Sequence, residues 1–363
     1  MSHRPRKDRS DCLAVTIAGL FAIACNGCAE TPSRSEDSRS EERSSLPTEV
    51  PAQPTATTGA SDGTGRTRQI SQSPSGRSLI IHADDVGMCQ SVNRATIDAL
   101  EKGGVSSASI MVPCPAFDEF AEYAKAHPQF DYGIHLTLNA EWPSYRWGPV
   151  LPKSEVPSLV DRDGFLWRSE QATSSNARAD DVERELRAQI DKARQAGVPL
   201  SHLDTHMGTL FLREDFLDIY LRLGDEYRLP VLLTRDDGFA RQLGFDDRVV
   251  AQIRSAADRC EQIGFPVMGK IFMHYTGDSV TSKKRAYLDM IRRLPAGVSE
   301  IVVHCGYDDA ELRSITRGAY AIRDGDRQVF TDPKVIAEIA NQDVQLTSWR
   351  RLSRTSNGTQ PAD

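Results

Sequence analysis

The stretch Leu79-Ile80-Ile81-His82-Ala83-Asp84-Asp85 runs a short apolar segment into a pair of adjacent carboxylates. The same arrangement, an apolar run ending in an imidazole, returns at Tyr132-Gly133-Ile134-His135, at Leu200 before Ser201-His202-Leu203-Asp204-Thr205-His206, and at Ile301-Val302-Val303-His304. Such runs, bounded by turn formers, read as buried strands, and strands separated by helical patterns imply a parallel sheet. In a closed β/α barrel the strand C-termini converge on one mouth, so residues distant in sequence become neighbours there. Asp84, Asp85, His135, His206 and His304 then form one candidate site.

Carboxylates in tandem with two imidazoles make a plausible mixed N/O site for zinc or another divalent ion, with room left for water. One of the adjacent carboxylates suffices as a ligand. The other can take a proton from water, while the ion lowers that water's pKa and polarises a carbonyl oxygen. The chemistry expected is metal-assisted hydrolysis. Strand period puts His202, Asp204 and His206 on one face, unless the turn at Gly208 breaks that geometry.

Working outward, strand and helix alternate with little interruption. Val92, Ala95, Ala99 and Leu100 recur at helical spacing before Gly103-Gly104, followed by a strand at Ser109-Ile110-Met111-Val112. Phe117, Phe120, Ala121 and Ala124, then Val182, Leu186, Ile190 and Ala193, then Phe216, Ile219, Tyr220 and Leu223 mark further amphipathic helices. Leu229 to Thr234, Lys270 to His274, Glu300 to His304 and Val344 to Ser348 complete about eight candidate strands. The class is α/β, a TIM-like β/α barrel. Asn139 to Asp180 is too long for an ordinary connection and carries Trp142, Tyr145, Trp147 and Trp167. Leaving the His135 strand, it either overhangs the mouth and stacks on sugar rings or packs a small hydrophobic cluster of its own. His274 lies at a strand end with no motif around it, which favours a structural or substrate-contact role over ligation.

His82-Ala83-Asp84-Asp85-Val86-Gly87, Gly133-Ile134-His135-Leu136 and Ser201-His202-Leu203-Asp204-Thr205-His206 resemble, in order and spacing, the three signature segments of the YdjC-type carbohydrate deacetylases, which include chitooligosaccharide deacetylases. The resemblance runs from about Leu79 to Trp349. It implies an irregular barrel, with Asp85, His135 and His206 holding one divalent ion, Mg2+ or Zn2+. It further implies Asp84 as the base, His304 as a candidate acid, and an acetylated amino sugar in an oligosaccharide or glycan as substrate. The chain departs from the family where His82 replaces the usual Asn, Val86 the usual Phe, and Met207-Gly208-Thr209 a His-rich stretch. Competing readings are a two-His-one-carboxylate iron oxygenase, suggested by the spacing of His202 and Asp204, and a tethered glycan-binding lipoprotein without turnover. The β/α alternation argues against the first, and a carboxylate beside the ligand set argues against the second.

The basic start His3-Arg4-Pro5-Arg6-Lys7 precedes an apolar stretch from Leu13 to Ala24 and then Cys25. That order predicts a secretory signal over 1–24 of the lipoprotein type, with Cys25 as the acylated first residue of an exported, envelope-anchored protein. Glu30 to Ser78 is rich in Ser, Thr, Pro, Glu and Arg and has no aromatic residue, so 25–77 reads as a disordered tether. The catalytic domain is expected over 78–352 and a polar tail over 353–363. A net charge of -7 and a pI near 5.7, with no basic stripe interleaved with aromatics, argue against nucleic-acid binding. The seven cysteines form no disulfide framework.

Overall fold

The computed structural model describes residues 75–356. The expected signal, Cys25 and nearly all of the tether lie outside the described residues, as does the tail beyond Ser356.

Among the described residues, seven strands form one parallel sheet: β1 (Arg77–Val86), β2 (Ser107–Ile110), β3 (Tyr132–Leu136), β4 (Leu200–Thr205), β5 (Lys270–Met273), β6 (Gly297–Val303) and β7 (Gln345–Leu346). Their order is β4-β3-β2-β1-β6-β5, and β7 pairs with the start of β1 through Ser78 and Leu79. The expected strand at Leu229–Thr234 does not form as a continuous element. It makes isolated parallel bridges instead, Val231 to Leu203 of β4 and Thr234 to Met268 just before β5. These bridges join the two open edges and close the ring. Pro230 explains the thinness of this stave: it has no N–H to give to a ladder, although its carbonyl accepts from Leu203 N at 2.9 Å. The architecture is therefore an irregular β/α barrel. Several strand boundaries differ from expectation: β2 runs from Ser107 to Ile110 rather than from Ser109 to Val112, β5 stops at Met273 rather than His274, β6 runs from Gly297 to Val303 rather than from Glu300 to His304, and β7 is confined to Gln345–Leu346.

The anticipated helical stripes are buried on Gln90–Glu101, Phe117–Ala126, Ala179–Gln195 and Glu214–Tyr227. Alternation along β1 separates two cores. Leu79, Ile81 and Ala83 join the layer between strands and helices, while Ile80 joins Met268, Ile271, Val302 and Trp349 in a second cluster. Trp349 opens the helix Trp349–Ser356, which overlaps the first residues of the expected tail. Its indole donates to Glu300 Oε2 at 2.9 Å and stacks on His202 with ring centroids 5.0 Å apart. His202 in turn explains Gly133 on β3, because a Cβ there would lie 2.3 Å from His202 Nε2. Cys89, Cys114, Cys260 and Cys305 are buried free thiols.

Candidate metal centre and active site

Adjacent residues on a regular strand face opposite sides of the sheet, which would leave only one of Asp84 and Asp85 at the mouth. β1 avoids this with an irregularity. Ala83 pairs with Ala108 and Val86 with Ile110, so β1 carries one extra residue between these points, as in a bulge. Asp85 takes the left-handed conformation there, with φ of 67°. That conformation is uncommon outside glycine, although aspartate, like asparagine, adopts it more readily than most residues. Met207, directly after His206, is also left-handed at φ 52°. Unfavourable backbone thus adjoins two of the candidate ligands, a pattern common at functional sites.

Asp85 Oδ1, His135 Nε2 and His206 Nδ1 face one another in a compact triangle. The edges are 3.4 Å from Asp85 to His135, 3.3 Å from Asp85 to His206 and 3.1 Å between the two nitrogens. Ligand atoms about 2.1 Å from a common ion stand about 3.4 Å apart in a tetrahedron and about 3.0 Å apart in an octahedron. The triangle has the dimensions of one face of such a shell. Asp85 Oδ1 is buried without a hydrogen-bond donor, an arrangement a cation would satisfy.

Each member is held from behind by a different partner. His135 Nδ1 donates to Asp204 Oδ1 at 2.6 Å, and His206 Nε2 to Glu141 Oε2 at 3.1 Å. Both tautomers so fixed turn the ring lone pair into the triangle, as metal-binding histidines require. Arg323 Nη2 donates to Asp85 Oδ2 at 2.6 Å. Burial alone would push Asp85 up, but Arg323 and the two imidazoles outweigh it and hold the carboxyl well below its ordinary range. For His206 burial pushes the ring down, yet Glu141 and Asp85 raise it to about 9. The acidic surroundings favour positive charge at this point, whether as protons or as a cation.

Asp84 lies beside the triangle, with Oδ2 4.0 Å from His135 Nε2, and its side chain is 15% exposed to the cavity where Asp85 and Asp204 are nearly closed off. His82 Nε2 stands 3.1 Å from Asp84 Oδ1, 3.0 Å from Asp204 Oδ2 and 3.1 Å from Ser109 Oγ. Its imidazole N–H can therefore do the work of an amide donor. Burial works against charge on His82, but Glu300, Asp204 and Asp84 raise its pKa well above the ordinary value.

His304, at the end of β6, lines the same cavity of about 360 Å³ as Asp84, Asp85, His135 and His206. Its backbone N–H donates to Asp326 Oδ2 at 3.1 Å, its ring meets Tyr275 edge-on at 4.9 Å, and its Nδ1 is buried without a hydrogen-bond partner. Burial lowers its pKa below the ordinary value. All five residues expected from the sequence are thus brought to one cavity.

Two other groups of potential ligands are less suited. In His82, His202 and Asp204, the His202 ring is fully buried against Trp349 and Gly133 and does not line the cavity. In Asp84, His135 and Asp204, the short contact from Asp204 to His135 is already a hydrogen bond. His274 bonds Asp278 and Thr276 and takes no part. Of the aromatic loop, Trp142 lines the cavity, whereas Trp147 and Trp167 donate to Asn139 O and Ser158 O within the loop's own packing. Sequence reasoning missed Glu141 and Arg323. Glu141 could have been suspected from its place just after the β3 motif, but nothing in the sequence around Arg323 marks it.

Fold and site together define a parallel β/α barrel with an imidazole–carboxylate centre suited to a divalent cation at the C-terminal mouth. Residues 78–341 match the YdjC-like protein family, and the chain belongs to that family. It is 30% identical over 277 residues to a carbohydrate deacetylase of Geobacillus stearothermophilus, covering 76% of this chain and 98% of that protein. It is 31% identical over 276 residues to a carbohydrate deacetylase of Thermus thermophilus, covering 76% of this chain and 94% of that protein. Among solved structures it resembles one described as a cellobiose-phosphate cleavage protein from Enterococcus faecalis, at 25% identity and a TM-score of 0.64, over 77% of this chain and 99% of that one.

Proposed function

We propose that this chain is a carbohydrate deacetylase that removes N-acetyl groups from acetylated amino sugars, with a divalent ion held by Asp85, His135 and His206. The observation that carries the reading is the triangle of 3.1–3.4 Å edges with the more exposed Asp84 beside it. A divalent ion bound there supplies Lewis-acid polarisation of the amide carbonyl and makes water easier to deprotonate. Asp84 accepts the water proton, and His82 and Ser109 fix its orientation. Asp204, Glu141 and Arg323 hold the ligand atoms in place so that little reorganisation accompanies the reaction. His304, which lines the same cavity, is the candidate donor of a proton to the departing amine. Trp142 offers an aromatic face and an unpaired buried N–H to the sugar.

The experiment is acetate release from acetylated chitooligosaccharides, with and without chelator. Release that stops with chelator and returns on adding Zn2+ or Mg2+ supports the reading, and chelator-insensitive release contradicts the metal's role. Export with acylation of Cys25 is proposed on the sequence signals alone, and Cys25→Ser should release the chain from the membrane fraction or block its maturation. Retention of a matured Cys25→Ser chain in that fraction contradicts the anchor.

A further inference from the structure

Lys283, on the helix Val280–Arg292, and Asp326, on the helix Ala319–Phe330, are both fully buried and stand 2.6 Å apart. A buried ion pair recovers little more than the cost of its own desolvation, and apolar residues of similar size often serve stability as well. What this pair does besides is hold backbone. Asp326 Oδ1 accepts from Lys283 Nζ and, at 2.8 Å, from the Tyr287 hydroxyl, while Asp326 Oδ2 accepts from the backbone N–H of His304 at 3.1 Å. Lys283 Nζ also donates to the carbonyl of His274 at 3.2 Å. His304 and His274 are the first residues beyond the paired strands β6 and β5, so one ion pair ties down two neighbouring strand ends. Tyr275, next in the chain, lines the cavity and lays its ring edge-on to His304 at 4.9 Å. Gly325 makes room for the lysine: a Cβ there would lie 2.9 Å from Lys283 Cδ.

We propose that Lys283 and Asp326 are positioning residues for His304, fixing the strand end that carries it so that its ring can protonate the departing amine. This rests on the hydrolase reading above and adds two residues that act only through His304. In the reaction, the water oxygen bonds to the carbonyl carbon while one water proton goes to Asp84. The C–N bond then breaks, its electron pair stays on nitrogen, and nitrogen takes a proton from the His304 ring, which the proton on Asp84 replaces through solvent. An amine leaves poorly until it is protonated, so this step depends on where the ring stands, and a displacement of about 1 Å can cost about 10²-fold. The bonds of Lys283 and Asp326 go to His274, His304 and Tyr287 rather than to Asp85, His135 or His206. Their loss should therefore spare the metal.

The test replaces the pair by apolar residues of similar size, Lys283→Met with Asp326→Leu, in the full chain with its divalent ion, so that neither charge is left bare. Two substrates are compared: diacetylchitobiose, whose amine needs a proton to leave, and 4-nitrophenyl acetate, whose phenolate does not. The expected result is a kcat on the amide lowered by about 10- to 100-fold, with KM and metal content unchanged and ester turnover within about twofold of wild type. His304→Gln should show the same preference for the ester, and adding the swap to it should lower amide turnover no further. Lys283→Met with Asp326→Asn keeps an oxygen to accept from His304 N–H and should recover most of the amide activity. Tyr287→Phe, which removes one bond to Asp326, should lower amide turnover about threefold with the ester spared, and it decides the question if the apolar swap does not fold. Unchanged amide turnover in the swapped chain, amide and ester falling together, or a loss that adds to that of His304→Gln would overturn the positioning proposal and leave the hydrolase reading standing. No acetate release from diacetylchitobiose by the wild-type chain would overturn both.

Discussion

Asp84→Asn should keep its divalent ion and lose turnover by about 10²-fold or more, the usual worth of a positioned general base. The amide keeps the size of the carboxylate and can still accept from His82 Nε2 and Ser109 Oγ, which stand 3.1 Å and 3.5 Å from Asp84 Oδ1. What it lacks is basicity. Asp204 is a poor substitute because it is 2% exposed and engaged by His135 and His82. Burial would raise Asp204, but the two imidazoles outweigh it and hold its carboxyl far below the ordinary range, so it has little appetite for a proton. Steady-state kinetics with metal analysis checks the expectation. An Asp84→Asn chain of undiminished kcat would place the base elsewhere.

His135→Ala and His206→Ala should each lose most of the bound ion together with activity. Either change opens the triangle and strands the carboxylate behind it, Asp204 or Glu141, without its imidazole. Glu141→Gln makes a useful contrast. It leaves all three ligand atoms in place and weakens only the support of His206, so it should lower metal affinity by about 10–100-fold, less than loss of a ligand. Metal analysis after dialysis against graded chelator separates these cases, and full occupancy in both alanine variants would contradict the ligand assignment.

How far the site could be read from the sequence depended on what each residue needed to declare itself. His135 and His304 follow short apolar runs and His206 follows the mixed strand Leu200–Thr205, and a parallel barrel collects strand ends at one mouth whatever lies between them. The adjacent aspartates were harder. Strand period alone sends Asp84 and Asp85 to opposite faces, and only the irregular pairing after Ala83 and the left-handed Asp85 bring both to the cavity. Arg323 and Asp326 lie three residues apart on the helix Ala319–Phe330, where one clamps Asp85 and the other the backbone of His304. Their spacing would equally suit a solvated helix face, so sequence did not single them out. Leu229 to Thr234 has the composition of a strand, but Pro230 and its position between two edges reduce it to bridges. The tryptophans of the loop after β3 could equally face sugar or each other, because aromatic residues serve both packing and recognition.

The most direct test of the central claim is anomalous diffraction from crystals of the chain grown with Zn2+ or Mn2+. A peak is expected about 2.0–2.2 Å from Asp85 Oδ1, His135 Nε2 and His206 Nδ1, with Asp204, Glu141 and Arg323 still on the far sides of those groups. A peak among His82, His202 and Asp204 instead, or no peak with the triangle kept as hydrogen bonds, would contradict it.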